Sequence, residues 1–549
     1  MRHRHLSFWL AAVALSSAIF LAGCGSGSGS SSAPRDVRVS AIDRYYGAQG
    51  KVDAPEDLSS KYDQVAALVP EADGSITTID GIGMEDGTCT IPQVPAGYYW
   101  LQQTTGYSRT LFWTNSSNFD LGINGIGRPW SGEEVNTTLE FDLTGLYPVS
   151  DTGTVTTTSN ELVVAIPNRS LSSWGFSLDS TGNTEPAPAP GTTTFSGSEA
   201  VQVLPPDPSK GDAAYLYQMA PVASAGLPGG WYGEALATAL ALPNFTVNAG
   251  GNTAIGGAMS QSNAAAVNFN IDGPSWVNNL AGPENPPSSI IEFSASVQPF
   301  LTDSDSGSGI ELITLDAYSP STPPVNIFQN FSATVDYDNP FPRSWPMVYE
   351  VWADVVFGTG TWANNYSSYR TTRLPTSFTP QIGPVRNATV NGANLESPPA
   401  IANADTPVIL SWLPPTGHAP DMYDVAVYVL GTSGIGPVAK ADAILVELVT
   451  PQTSVTIPAG LLESGNTYYV SIGTLFGAGF SAASPYRRGF PNAYTSIASG
   501  LFAVGPTAAT AAASAHPAAA GRPGKVRMFL PGWDGQSHSI PQAVQTRIP

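Results

Sequence analysis

Cationic side chains are scarce in this chain: Lys and Arg number 22 against 43 Asp and Glu, a formal charge of −21 over 549 residues. A nucleic-acid backbone demands clustered cations, so binding to nucleic acid is not expected. Cysteine is scarcer still, with two in the whole chain. A disulfide framework is excluded, and a chain of this length builds cores large enough to fold without one. Histidine is thin as well. Past residue 23 only His418, His516 and His538 remain. With no Gly-x-Ser-x-Gly elbow and no His-Glu-x-x-His, a histidine-assisted nucleophile or a histidine-based zinc centre has little to be built from. Charged residues of both signs make up 12 %, against a usual share near ~25 %. Asn, Ser, Thr, Gly and Pro cover the surface instead. No segment after residue 23 is long and apolar enough to span a bilayer.

The one greasy run lies at the start. Arg2 and Arg4 precede an apolar stretch from Leu6 to Leu21, the layout of an export signal. Leu21-Ala22-Gly23-Cys24 follows, and then the string GSGSGSSSA. This segment resembles the lipobox of bacterial lipoproteins. The resemblance implies a leader over 1–23, cleavage before Cys24, and acyl groups on Cys24 that hold the protein to a membrane. Two or more acyl chains anchor stably where one does not. Gly25 stands where an aspartate would favour retention in the inner membrane, so the expected address is the cell envelope. That means the outer membrane where the host has one, and otherwise the cell membrane. Residues 24–36 are then the lipidated cysteine and a tether; some ten Gly/Ser-rich residues span roughly 15–20 Å as a coil.

The 55 Gly and 48 Pro, with abundant Thr, Val, Tyr and Trp, favour strands joined by many turns. The expected fold class is all-β, as tandem β-sandwich domains. Within 37–149, DGTCTIPQVPAGYYWLQ opens on the turn Asp86-Gly87 and alternates with Cys89 and Ile91 on one side, Thr88 and Thr90 on the other. It turns at Val94-Pro95-Ala96-Gly97 and resumes with Tyr99 and Leu101. The pattern resembles carboxypeptidase-regulatory-like and collagen-adhesin B-type sandwiches, which makes Cys89 a core thiol. Within 383–504, TPVILSWLPP, MYDVAVYVL and TSVTIPAGLLESGNTYYVSIGTLF each alternate. The third contains Leu462-x-x-Gly465-x-x-Tyr468. This region resembles a fibronectin type III domain with its tyrosine corner, and Trp412 falls on its apolar face. Residues 150–382 carry short β-like runs such as ELVVAI and MVYEVWADVVF and read as one or two further sandwiches of no recognised family. EALATALAL suits a short helix or a buried strand equally. Residues 505–549 form an Ala/Pro-rich linker and tail.

Few side chains offer chemistry. Glu350 and Asp354 share one face of a strand, but four residues span ~13 Å. Glycosidase carboxylates stand roughly 5–9.5 Å apart. They are therefore not a catalytic pair by themselves. Asp303, Asp305 and Glu311 surround a Gly-rich turn whose oxygens are weak calcium candidates. His418 lies in a loop. Among aromatic motifs, GYYWLQ, LFWTN, GRPWSG and GTWANNYSSY concentrate near turns, where ring faces can stack on sugars or enter a protein partner. Trp362, Tyr366 and Tyr369 form the least core-like set, because GTGTWANNYSSYR reads as loop. No catalytic residue, resident metal or cofactor is expected. The reading favoured is a lipid-anchored, non-catalytic binding, adhesion or scaffolding protein with a protein or glycan partner. A secreted carbohydrate-active enzyme with its site in 150–382 stays open, as does a surface glycan-binding lipoprotein.

Overall fold

A computed structural model of the chain describes residues 33–505 apart from 48, 61–62, 72–74, 106–107, 130–132, 150–160, 170, 179–188, 223–226, 228–230, 281–289, 301–309, 320–328, 358–362, 433–438, 458 and 460. The lipobox at Cys24 and the tail past Gly505 lie outside these residues. The architecture is all-β, with sheets packed as tandem sandwiches. No helix among the described residues is long and apolar enough to cross a membrane.

Alternation builds the first sandwich. In strand Thr88–Val94, Cys89, Ile91 and Val94 are buried while Thr88 and Thr90 are exposed. Cys89 is a free, buried thiol, pushed up to about 11 by burial, as a core position requires. The strand pairs with Arg35–Ser40 and Ile82–Gly83, and Asn118–Asp120 joins the far side in parallel. Gly87 sits at φ +76° in the preceding turn, where a Cβ would stand 2.7 Å from the Ala41 carbonyl oxygen. The facing sheet runs Ile76–Asp80, Asp63–Pro70, Tyr99–Thr105, Ser108–Thr114.

The C-terminal sandwich sets Arg386–Val390, Val408–Leu413 and Ser454–Ile457 against Ala439–Thr450, Met422–Thr432, Thr467–Gly477 and Asn492–Ala498. The region that resembles fibronectin type III is thus built of two facing sheets. Trp412 is buried against Tyr423, rings 5.2 Å apart. The Tyr468 hydroxyl accepts the Glu463 amide at 2.8 Å and closes the tyrosine corner.

These sandwiches are not separate beads. Ser108–Thr114 pairs in parallel with Ala439–Thr450, Leu448 opposite Leu111, and Asn492–Ala498 pairs with Ala363–Thr371 of the middle region. One sheet therefore continues through all three regions. Its two faces serve different cores. Leu68, Trp100 and Leu111 join the C-terminal core, whereas Met422, Val449, Leu475 and Tyr494 join the N-terminal one. Residues that alternation alone assigns to solvent are thus covered from the other side. Trp100 is 4 % exposed and Asp424 only 3 %.

The middle region has two cores, on opposite faces of the sheet that contains Glu161–Ile166, Ala214–Pro221 and Trp231–Leu242. Glu161–Ile166 is buried at every position, which is why it reads as an unbroken apolar run. EALATALAL belongs to strand Trp231–Leu242, not a helix. Among the described residues the α-helix is Gly273–Leu280, capped by Asp272, whose carboxylate accepts the Ser275 amide at 3.1 Å. Strand Val135–Thr144 lies inside the expected 37–149 unit but pairs with Thr194–Val203 and Asn252–Ala258. Its Leu139, Phe141 and Leu143 fill the core shared with 162–259.

Guanidinium groups fasten the regions. Arg487, from the C-terminal loop, donates to both Asp120 carboxylate oxygens, to the Ile123 carbonyl at 2.9 Å and to the Ile42 carbonyl. Arg128 binds Asp212 of the middle region through Nε at 3.0 Å and Nη2 at 2.7 Å.

Candidate functional site

The structure redistributes the residues singled out from sequence. Cys24, Trp362, Asp303 and Asp305 lie outside the described residues. Tyr366 and Tyr369 are not on a loop: they belong to strand Ala363–Thr371, which pairs on both sides. Being three apart, they point to opposite faces. Tyr366 packs toward the N-terminal core, 6.0 Å from Trp352, and Tyr369 turns to the middle core, 6.4 Å from Phe378. They cannot form one binding platform, and that expectation is corrected. Glu311 accepts a hydrogen bond from the Thr314 hydroxyl. No group of three or more metal-ligating side chains occurs among the described residues.

Glu350 and Asp354 do share a strand face, but neither is a freely solvated acid. Glu350 pairs with Arg370 at 3.4 Å, and Asp354 is buried. His418 is exposed, its Nδ1 3.2 Å from the Gln381 carbonyl oxygen. Two shallow depressions, of about 350 and 340 Å³, are lined by Asn270, Asp272 and Ser332, and by Thr137, Gln202 and Asn252. Neither holds two carboxylates.

Two arrangements emerge that no single motif announced. The first is an aromatic shelf, where GYYWLQ and LFWTN come together. Trp100 pairs directly across from Trp113 on adjacent strands, with rings 4.7 Å apart. Tyr98, two residues before Trp100, stacks on Trp113 at 5.6 Å and 17° and is 45 % exposed. The Trp113 indole donates to Gln452 Oε1 at 3.1 Å, tying the shelf to the turn that closes the C-terminal sandwich. Trp100 is sunk in the core, Trp113 is half-buried, and Tyr98 is open. The shelf is one graded patch of ring surface with its polar groups at the edge. Each half of this pair was visible as a motif; the register that joins them was not.

The second is a pair of carboxyls. Asp424 and Glu447 stand within hydrogen-bonding reach of each other, and Asp424 Oδ2 also accepts from the Tyr494 hydroxyl at 3.4 Å. Asp424 Oδ1 and Glu447 Oε1 are buried without a donor from the protein. A proton shared between the two acids would give these oxygens a donor. Burial pushes Asp424 up to about 7 and Glu447 well above the usual carboxylate range, against the lowering pull of the Arg488 charge. A carboxyl pair with one proton can do acid–base chemistry, but Asp424 lies sealed between the two sandwiches. Sequence reading missed it because Asp424 sits at the outward position of an alternating strand, where solvent is the default.

No family model matches the chain, and no curated protein matches it. Solved structures with some likeness include the FN1-FN3 domains of chicken CNTN1. That match is 9 % identical, covers 66 % of this chain and 99 % of the other, and has a TM-score of 0.13. Trypsin-activated alpha-2-macroglobulin from Escherichia coli is 8 % identical over 83 % of this chain and 29 % of its own, TM-score 0.13. A tetra-tandem repeat from the extending region of a large adhesion protein is 10 % identical over 84 % and 99 %, TM-score 0.10. Scores this low describe no common superposition of the whole chain.

Proposed function

We propose that this protein is a lipid-anchored, non-catalytic scaffold of the cell envelope, whose sandwiches act as one stiff body that holds binding surfaces away from its anchor. The observation that carries the scaffold reading is the single sheet running through all three regions. Among the described residues, strands joined by ladder hydrogen bonds, with Arg487 and Arg128 fastened across the seams, connect the modules where relative motion would normally be expected. The anchor reading stands on Leu21-Ala22-Gly23-Cys24.

The enzyme alternative needs two carboxylates facing each other in a cleft, and neither described depression holds two. Glu350 pairs with Arg370, and in the Asp424–Glu447 pair Asp424 is 3 % exposed. Mass spectrometry of the mature amino-terminal peptide tests the anchor. The expected species begins at Cys24 and carries acyl mass, and Cys24→Ser moves the protein to the aqueous phase of a detergent partition. An unmodified peptide starting elsewhere would overturn the reading. Small-angle scattering tests the stiffness, which predicts one compact profile unchanged by salt.

A further inference from the structure

The aromatic shelf lies where the tether enters. Strand Arg35–Ser40 runs antiparallel to Thr88–Val94 with Arg35 opposite Val94, so the chain arrives beside the turn that leads to Tyr98. The Arg35 guanidinium donates to the Asn115 carbonyl, two residues past Trp113. The Pro451-Gln452 turn lies at the same end, bound to Trp113 through Gln452. Around the rings, Pro95, Ala96 and Pro451 are exposed. Ten residues, 25–34, separate Cys24 from Arg35, and such a length covers roughly 16–19 Å. A bilayer holding acylated Cys24 therefore lies within reach of Tyr98 and Trp113.

Trp and Tyr rings have an apolar body and a polar tip, and they settle at the headgroup level of membranes. We propose that this end of the N-terminal sandwich is a membrane-docking surface: Tyr98 and Trp113 enter the headgroup layer beside the anchor and fix the orientation of the whole sheet. The occupant is a lipid surface of neutral headgroups. Asp36 and Glu71, both exposed at this end, outnumber Arg35, which is turned to the Asn115 carbonyl, and with the acidic charge of the chain they oppose an anionic one. The proposal rests on the anchor reading for the bilayer's presence; the shelf supplies orientation, and the acyl groups supply attachment.

The test uses the full processed chain reconstituted into phosphatidylcholine vesicles with brominated acyl chains, which quench nearby tryptophan. Flotation reports attachment and emission reports contact. The wild type floats and is quenched. Trp113→Phe floats but loses roughly half or more of that quenching, since Trp113 is the indole at headgroup depth. Tyr98→Ser, at an exposed position that leaves the core intact, weakens the quenching of Trp113. Adding phosphatidylglycerol reduces it further. Floating protein with equal quenching in all three forms overturns docking while leaving the anchor standing. Failure of the wild type to float, when Cys24→Ser behaves the same, overturns the anchor and this proposal with it. A change in Trp113 emission on adding soluble cellohexaose or chitohexaose, without lipid, would assign the shelf to a glycan instead.

Discussion

Two buried carboxylate sites lie at two seams of this molecule, and they are neutralised in different ways. Where the N-terminal sandwich meets the middle region, Asp212 accepts Arg128, Asn168 Nδ2 at 3.0 Å and the Asp207 amide at 2.7 Å. Where it meets the C-terminal sandwich, Asp424 shares its burial with Glu447. The first carboxylate is balanced by a cation and the second site by a proton, although Arg487 also fastens that second seam through Asp120. Burial raises both aspartates, but at Asp212 the donors win and its carboxyl is held below the usual range. At Asp424 burial wins. The same seam-building task thus yields opposite responses to pH.

The largest effect expected from breaking this comparison is at the cation. Arg128→Ala leaves Asp212, whose side chain is fully buried, with its charge uncompensated. A loss of about 3–5 kcal/mol is expected, read as a lowered urea midpoint. A loss below ~1 kcal/mol would mean that the ion pair only decorates the seam.

The pH profile sharpens the contrast. A group whose folded pKa is lowered stabilises above its unfolded value and loses that contribution as pH falls. Asp212 therefore weakens the fold on acidification below ~4. A group raised to about 7 works the other way: its contribution is complete below ~4 and is lost as pH climbs toward neutrality. Thermal midpoints should thus fall as pH rises from 5 to 8, with Glu311, also raised by burial, adding to the fall. Asp424→Asn removes one titrating acid and gives Glu447 an amide donor, so it should flatten that slope by about half or more. An unchanged slope would show that the two acids do not share a proton at this seam.

How much of this was visible in the residues differs by element. Cys89, Ile91, Tyr99 and Leu101 could be placed by period alone, because their strands each have one core to face and the polar positions between them say so. Tyr468 was visible through its spacing from Leu462 and Gly465. Asp424 and Trp100 were not, because the surface that buries each comes from another module through a parallel pairing with no local signature. Tyr366 and Tyr369 failed for a related reason: Asn, Ser and Tyr look like loop until two neighbouring strands supply the ladder. Period two reports which residues share a face. It does not report whether the second face meets water.

The smallest effect concerns a contact that stays within one module, and it separates local closure from the seams. Tyr468→Phe keeps the ring, which is 1 % exposed, and removes the oxygen that accepts the Glu463 amide at 2.8 Å. The loss should be about 1 kcal/mol. It should also be independent of pH between 5 and 8, since none of the groups that titrate at the Asp424 seam takes part in this bond. Hydrogen exchange should speed up at the Glu463 turn while amides of Ser108–Thr114, which pair across the seam, keep their protection. If exchange at that strand rose equally, the tyrosine corner and the parallel pairing would belong to one cooperative unit, and the modules would unfold together instead of seam by seam.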